Sequence, residues 1–134
     1  MATELHRWTL DESGSTITDH VGSSNGTVNG TPDETDGILD GARYFGTGEY
    51  VDCGNPSSLN FGSSNFTIRS IFRRGITAAS DDQYICSKHT VASPGYALYI
   101  DATSYTIEFV IYFSGAPYTV SAADNFAEDR KSVV

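Results

Sequence analysis

The chain has 134 residues and a formal net charge of −9, from 17 acidic and 8 basic side chains. The length fits one domain with its own hydrophobic core, and contents of 39% hydrophobic and 12% aromatic residues exclude a disordered chain. The negative charge argues against a nucleic-acid partner, which requires a basic surface, and no apolar run approaches the roughly 18 residues of a membrane-spanning helix.

The composition favours strands over helices. Thirty residues are Ser or Thr and 13 are Gly, whereas the chain has only five Leu, two Lys and one Met. Good helix formers are therefore scarce and turn formers are abundant. We expect an all-β protein whose strands are joined by turns.

Short apolar or alternating runs in the first half of the chain predict strands at residues 4–10, 26–29, 42–45 and 49–53. Residues 11–25 form a polar stretch rich in Ser, Gly and Asp, and residues 31–40 are predicted to be a loop. Gly46 and Gly48 predict a hairpin turn between the third and fourth of these strands, because glycine reaches positive φ without strain. Residues 55–61 predict one helical turn, with Asn55 as its cap and Pro56 at its first position.

The second half of the chain has the clearest strand pattern, in residues 66–73. There Phe66, Ile68 and Phe72 face one way, and the intervening residues face the other. Four more strands are predicted at residues 83–88, 95–101, 105–113 and 118–122, with turns at 101–104 and 114–117. This spacing is typical of antiparallel meanders, so we predict a single domain over residues 1–134, an antiparallel two-sheet β-sandwich.

The chain has two cysteines, Cys53 and Cys86, which fit neither a zinc-ligand spacing nor a CxxC redox motif. One disulfide and two free thiols both agree with the sequence. Each cysteine lies in an apolar run, where buried free thiols are common, and this favours free thiols.

Eight segments of the chain form an ordered pattern: residues 6–12, 18–27, 37–45, 50–54, 55–61, 66–70, 85–88 and 95–100. In their order and spacing they resemble the laminin-G/pentraxin-like branch of the concanavalin A-like lectin and glucanase superfamily. The sequence departs from that pattern at Gly46, where the family usually has Asp, and near Ile71, where it usually has Trp. The resemblance implies a concanavalin A-like jelly roll. It also implies an extracellular location, although no signal peptide follows Met1.

The resemblance further implies a domain shortened at its C-terminus, because family members continue past Asp129 into several more strands. Missing strands leave unpaired backbone edges and exposed core faces, such as the aromatic run 105–113. We therefore expect a homodimer or higher homo-oligomer, built by edge pairing or by exchange of the terminal segment.

The sequence does not predict an enzyme. Glycoside hydrolases related to this fold carry a Glu-x-Asp-x-x-Glu strand, whereas Glu108 stands alone in its strand. His6, His20 and His89 accompany no recognisable serine or cysteine nucleophile motif, so a catalytic triad is not expected.

Two kinds of binding site are suggested by residue type. Sugar binding uses aromatic faces and polar groups that bond hydroxyls, and the candidates are Asp81, Asp82, Tyr84, His89, Tyr96 and Tyr118. Calcium binding uses loop carboxylates and amide oxygens, and the candidates are Asp19, Asn25 and Asp36. Core tyrosines and solvated acids are the alternative interpretations of these residues.

The function expected from these features is that of a non-catalytic binding module for a carbohydrate or another cell-surface ligand, with calcium as its candidate cofactor. The alternative is a structural or assembly protein that oligomerises through open sheet edges without a small-molecule ligand.

Overall fold

The computed structural model describes residues 3–38, 40–74, 80–90, 93–113, 116–122 and 132–133. Over these residues the chain forms short strands and one 3-10 turn, Ser57–Leu59: β1 (Thr16–Ile17), β2 (Gly26–Asn29), β3 (Asp33–Asp36), β4 (Gly41–Tyr44), β5 (Tyr50–Asp52), β6 (Ile71–Phe72), β7 (Gln83–Thr90), β8 (Ser93–Ile100), β9 (Ile107–Phe113), β10 (Ala116–Ala122) and β11 (Ser132–Val133). All pairings among these strands are antiparallel. The predicted all-β antiparallel class is confirmed, while the jelly-roll connectivity stays a prediction.

The chain divides into two compact units, Met1–Leu59 and Asn60–Val134. In the first unit, one sheet has the order β1-β2-β5 and a second pairs β3 with β4. Ile17 is fully buried in this unit. In the described residues, no helix is long and apolar enough to cross a bilayer.

Residues 4–10, predicted to be a strand, do not form one. Only Trp8 makes an isolated bridge, to Asp19. Leu10 has a φ of 60°, a left-handed conformation that interrupts an extended chain. The segment is instead held by side-chain hydrogen bonds, such as that from the Trp8 indole N–H to the Ser24 carbonyl at 2.8 Å.

The predicted hairpin around Gly46 and Gly48 has the turn but not the pairing. The Glu49 N–H donates to the Gly46 carbonyl at 3.2 Å, and Gly48 has a φ of 79°. However, β4 pairs with β3 and β5 pairs with β2. Residues 31–40 were predicted to be a loop, yet they contain β3, because its exposed acidic residues still supply backbone groups to β4.

The second unit contains a four-stranded meander with the order β10-β9-β8-β7. Strands that follow one another in the chain are neighbours in the sheet, as the predicted short turns require. One face of this sheet, defined here as the core face, carries Leu98, Ile100 and Ile107, which are buried against Ile68, Phe72, Ile85, Cys86 and Phe109. Burial of such apolar side chains stabilises the unit at about 25 cal/mol per Å².

The alternation predicted for residues 66–73 appears in their exposure. The even-numbered residues are half-buried and the odd-numbered residues are exposed. Only Ile71–Phe72 form a ladder, with β11. A strand is defined by its partner as well as by its own conformation, so the sequence pattern identified the faces but overestimated the length of the ladder.

Both cysteines are free thiols, as the sequence favours. Burial, together with the nearby Asp52 and Asp19 carboxylates, raises the pKa of Cys53 to about 11. Burial also raises the pKa of Cys86.

Candidate functional site

A row of four side chains crosses the whole meander on the face opposite the core face. Tyr84 pairs with Tyr99, Tyr99 with Glu108, and Glu108 with Ser121. Residues directly opposite each other on antiparallel strands project from the same face, so register alone brings these four together. We call this side of the sheet the tyrosine face.

The four side chains of the row interact from strand to strand. The rings of Tyr84 and Tyr99 lie 5.1 Å apart, centroid to centroid, with 31° between their planes. The Tyr99 hydroxyl donates to Glu108 Oε2 at 2.6 Å, and the Ser121 hydroxyl donates to Glu108 Oε1 at 3.4 Å. The aromatic pair is therefore followed in the row by a carboxylate that accepts hydrogen bonds from two hydroxyls.

The electrostatics of the row favour neutral phenols. The hydrogen bond to Glu108 and burial raise the pKa of Tyr99. Burial and the neighbouring Tyr112 and Asp82 raise the pKa of Tyr84. At neutral pH the Tyr99 phenol therefore keeps its proton and donates a hydrogen bond to the Glu108 carboxylate.

A second aromatic pair lies further along the tyrosine face. The rings of His89 and Tyr112 stack at 3.6 Å between centroids, with 6° between their planes. Tyr112 is paired with Gly95, where a Cβ would collide with the Lys88 carbonyl oxygen. The absence of a side chain at Gly95 thus lets β7 approach β8 closely beside this pair. Between the two aromatic groups the register places Ala97 opposite Val110, and both are buried.

The arrangement has the chemical groups that carbohydrate recognition uses. Tyr84 is 55% exposed and offers a ring face, while phenols and a carboxylate lie within the same row. Pyranose rings stack on aromatic faces, and their hydroxyls bond to carboxylates and phenols.

The structure separates the predicted ligand-binding residues. Tyr84 and His89 lie on the tyrosine face. Tyr96 is buried on the core face, with its ring centroid 5.3 Å from those of both Phe61 and Phe66. Tyr118, paired with Ile111, lies on the core-face side of β10 and is 70% exposed.

The two predicted aspartates, Asp81 and Asp82, are exposed in the segment before β7. Asp82 accepts a hydrogen bond from the Ala102 N–H at 3.0 Å, which gives it a role in holding the neighbouring turn. The prediction omitted Tyr99, Glu108 and Tyr112. The alternation in residues 95–101 and 105–113 could have identified them, since they are out of phase with Leu98, Ile100 and Ile107.

A second polar centre lies in the first unit, around Asp19. Its side chain is fully buried and accepts hydrogen bonds from His6 Nδ1 at 2.6 Å and from four backbone N–H groups, those of Arg7, Val21, Gly22 and Ser24. Burial opposes ionisation of Asp19. The bonds from His6 and the backbone outweigh it and hold the pKa of the carboxyl well below its usual value.

Of the predicted calcium ligands, Asp19 and Asn25 are brought together, but by a hydrogen bond. Asn25 Oδ1 accepts the Asp19 N–H at 2.9 Å, and both Asp19 carboxylate oxygens already accept N–H groups. The oxygens that a calcium ion would use are thus engaged. Asp36 lies in the exposed strand β3. Elsewhere in the described chain, Asp11, Glu12 and His20 each have one potential ligand atom within 4.8 Å of those of the other two. Calcium binding by the protein stays a prediction.

His6 also has a partner that the sequence did not suggest. Its Nε2 lies 2.8 Å from the Ser58 hydroxyl oxygen. Ser58 belongs to the predicted helical turn, which the structure places at Ser57–Leu59. No local motif could reveal this contact, because 52 positions separate the two residues. We call His6, Asp19 and Ser58 the histidine–aspartate centre.

Neither a family model, nor a curated protein, nor a solved structure matches this chain. Its function is therefore inferred from the side chains of the tyrosine face and the histidine–aspartate centre.

Proposed function

We propose that the protein is a carbohydrate-binding module and that the tyrosine face is its binding surface. The supporting observation is the cross-strand row in which the stacked rings of Tyr84 and Tyr99 meet the Glu108 carboxylate. Binding at such a surface needs no chemical step. The proposal agrees with the lectin-like function that the concanavalin A-like resemblance implies.

The placement of the row on paired strands supports this function. Its side chains are carried by all four strands of the meander, β7 to β10, so they are positioned by the sheet and not by a loop. A surface that is ordered before binding loses less conformational entropy when the ligand arrives. Tyr84 is the most accessible aromatic ring of the row, so it is the expected stacking platform.

The charge indicates a neutral sugar. Glu108 places a carboxylate in the row, and the chain carries a net charge of −9. Sialylated or sulfated glycans would meet like charge, whereas the hydroxyls of a neutral pyranose can donate to Glu108.

The proposal is tested on a glycan array, with and without calcium, followed by calorimetric titration with the neutral glycans that bind. Tyr84→Ala is expected to weaken binding at least tenfold through loss of the stacking platform. Tyr118→Ala is the matched control, because it removes an exposed tyrosine from the other side of the meander and should leave binding unchanged. Equal losses in both variants, or no glycan binding by the wild-type protein, would refute the proposal.

A second candidate function, self-assembly through a sheet edge, is favoured by strand β10. All seven of its residues are exposed, and in the described part of the chain it pairs only with β9. An exposed edge of this length can pair antiparallel with the same strand of a second copy. Light scattering would show a dimer that Val120→Lys shifts to a monomer. A monomeric wild-type protein excludes this function.

A further inference from the structure

We propose that Ser58 is an activated nucleophile, able to accept an acyl group from small carboxylic esters, with His6 as its general base. The three residues Ser58, His6 and Asp19 form a continuous chain of two hydrogen bonds, 2.8 Å and 2.6 Å long. This site lies in the first unit and shares no residue with the tyrosine face.

The partners of His6 define its tautomer. The Asp19 carboxylate is ionised and can only accept hydrogen bonds, so His6 Nδ1 must carry the proton of the 2.6 Å bond. In the neutral imidazole Nε2 is then the basic nitrogen, and it accepts the hydroxyl proton of Ser58. This is the orientation in which a serine hydroxyl, an imidazole and a carboxylate act together in nucleophilic catalysis.

The imidazole is held in place on several sides. Asp19 is itself fixed by hydrogen bonds from four backbone N–H groups. The His6 ring stacks on the Trp8 ring, with 5.3 Å between their centroids and 2° between their planes. At Gly22 a Cβ would lie 2.6 Å from His6 Nδ1, so the loop closes over the ring only because this residue is glycine. The His6 side chain is 7% exposed. A base fixed in this way needs little reorganisation when the proton moves.

Ser58 is on the open side of the same centre. It is exposed in the 3-10 turn, so a small ester can reach its hydroxyl while His6 stays covered. Solvent water would then stabilise the oxyanion. We therefore expect slow turnover, with general-base catalysis supplying roughly 10²- to 10⁴-fold over an unassisted serine.

The acyl transfer needs only the ester and water as reactants. Ser58 Oγ forms a bond to the ester carbonyl carbon, its proton passes to His6 Nε2, and the bond from carbon to the leaving oxygen breaks. The leaving alkoxide takes that proton from His6 and departs as an alcohol. A water molecule then gives a proton to Nε2 and attacks the acyl carbon, the bond from that carbon to Ser58 Oγ breaks, and Oγ takes the proton from Nε2. This releases the acid and restores the Ser58 hydroxyl.

The test uses a fluorophosphonate, which a nucleophilic serine attacks so that a phosphorus–oxygen bond forms and fluoride leaves. Intact-mass analysis and peptide mapping of the full chain should show one adduct, on Ser58. Ser58→Ala should abolish the adduct, and Ser57→Ala, the neighbour in the same turn, should retain it. His6→Gln should slow labelling at least tenfold, with its circular dichroism spectrum compared with that of the wild type.

The wild-type protein alone can overturn the proposal. If Ser58 is labelled no faster than in urea-unfolded protein, the hydroxyl is not activated and the centre is only structural. Retained glycan binding in Ser58→Ala and retained labelling in Tyr84→Ala would show that the glycan-binding surface and the Ser58 site are independent of each other.

Discussion

The hydroxyl of Tyr99 and the carboxylate of Glu108 share a 2.6 Å hydrogen bond between neighbouring strands. Without it, Glu108 would keep only the 3.4 Å contact from the Ser121 hydroxyl. With it, the carboxylate has a fixed orientation beside the Tyr84–Tyr99 pair, and the tyrosine face gains an oriented acceptor.

Tyr99→Phe removes this hydrogen bond and keeps the ring. We expect unfolding free energy to fall by about 1.5–3 kcal/mol, the range for a hydrogen bond to a charged group, and glycan affinity to fall about tenfold. Urea denaturation and calorimetric titration measure the two effects. Ser121→Ala, which removes only the 3.4 Å contact to Glu108, is the control and should have a smaller effect on both.

The same hydrogen bond predicts a loss of stability at alkaline pH. The pKa of Tyr99 is raised in the folded protein, so above the unfolded tyrosine pKa of about 10 the folded state binds more protons than the unfolded state. The contribution of Tyr99 to the free energy of unfolding should therefore be fully present below pH 10 and should decrease as the pH rises above 10. Denaturation at pH 9 and pH 11 checks this, and the decrease should be smaller in Tyr99→Phe. An equal decrease in both proteins would contradict the assignment.

The lowered pKa of Asp19 predicts that the protein loses stability as the pH falls. The folded pKa of this carboxyl is lowered, so its contribution is complete above the unfolded pKa of about 3.9 and is lost as pH falls below that value. Asp19→Asn should destabilise the protein by about 3–5 kcal/mol at pH 7, because it leaves buried N–H groups and His6 without a charged acceptor. Asp36→Asn, on exposed β3, should change the unfolding free energy little. Thermal denaturation from pH 3 to pH 7 compares the three proteins.

Gly95→Ala tests the close approach of β7 and β8. A Cβ there would collide with the Lys88 carbonyl oxygen, so the strands must separate, at a cost of about 3 kcal/mol. Gly48→Ala is the control: its φ of 79° disfavours alanine by about 1 kcal/mol, yet no atom lies within 4 Å of the added Cβ. A loss for Gly95→Ala no larger than that for Gly48→Ala would show that the two strands accommodate the added Cβ without separating.

The cysteines provide a probe of folding. Because burial raises the pKa values of Cys53 and Cys86, both thiols should react slowly with a disulfide reagent at pH 8 in the native protein. In urea both should react rapidly, giving two thiols per chain. Two fast-reacting thiols in native protein would contradict this.

The sequence by itself determined the all-β class, the meander of the second unit and the face to which many side chains belong. Alternation with a period of two is a local property, so it correctly separated even- from odd-numbered residues in 66–73. It could equally have placed Tyr99 and Glu108 away from the core, since each lies next to a core residue in its own strand.

Pairing was decided by the tertiary structure. The sequence suggested that residues 42–45 and 49–53 form a hairpin, yet the backbone groups of β4 are satisfied by β3 and those of β5 by β2. Likewise, the contact of His6 with Ser58 joins residues far apart in the chain. Such contacts depend on which strands exchange backbone hydrogen bonds over long separations, and the side-chain pattern of a single strand does not specify its partner.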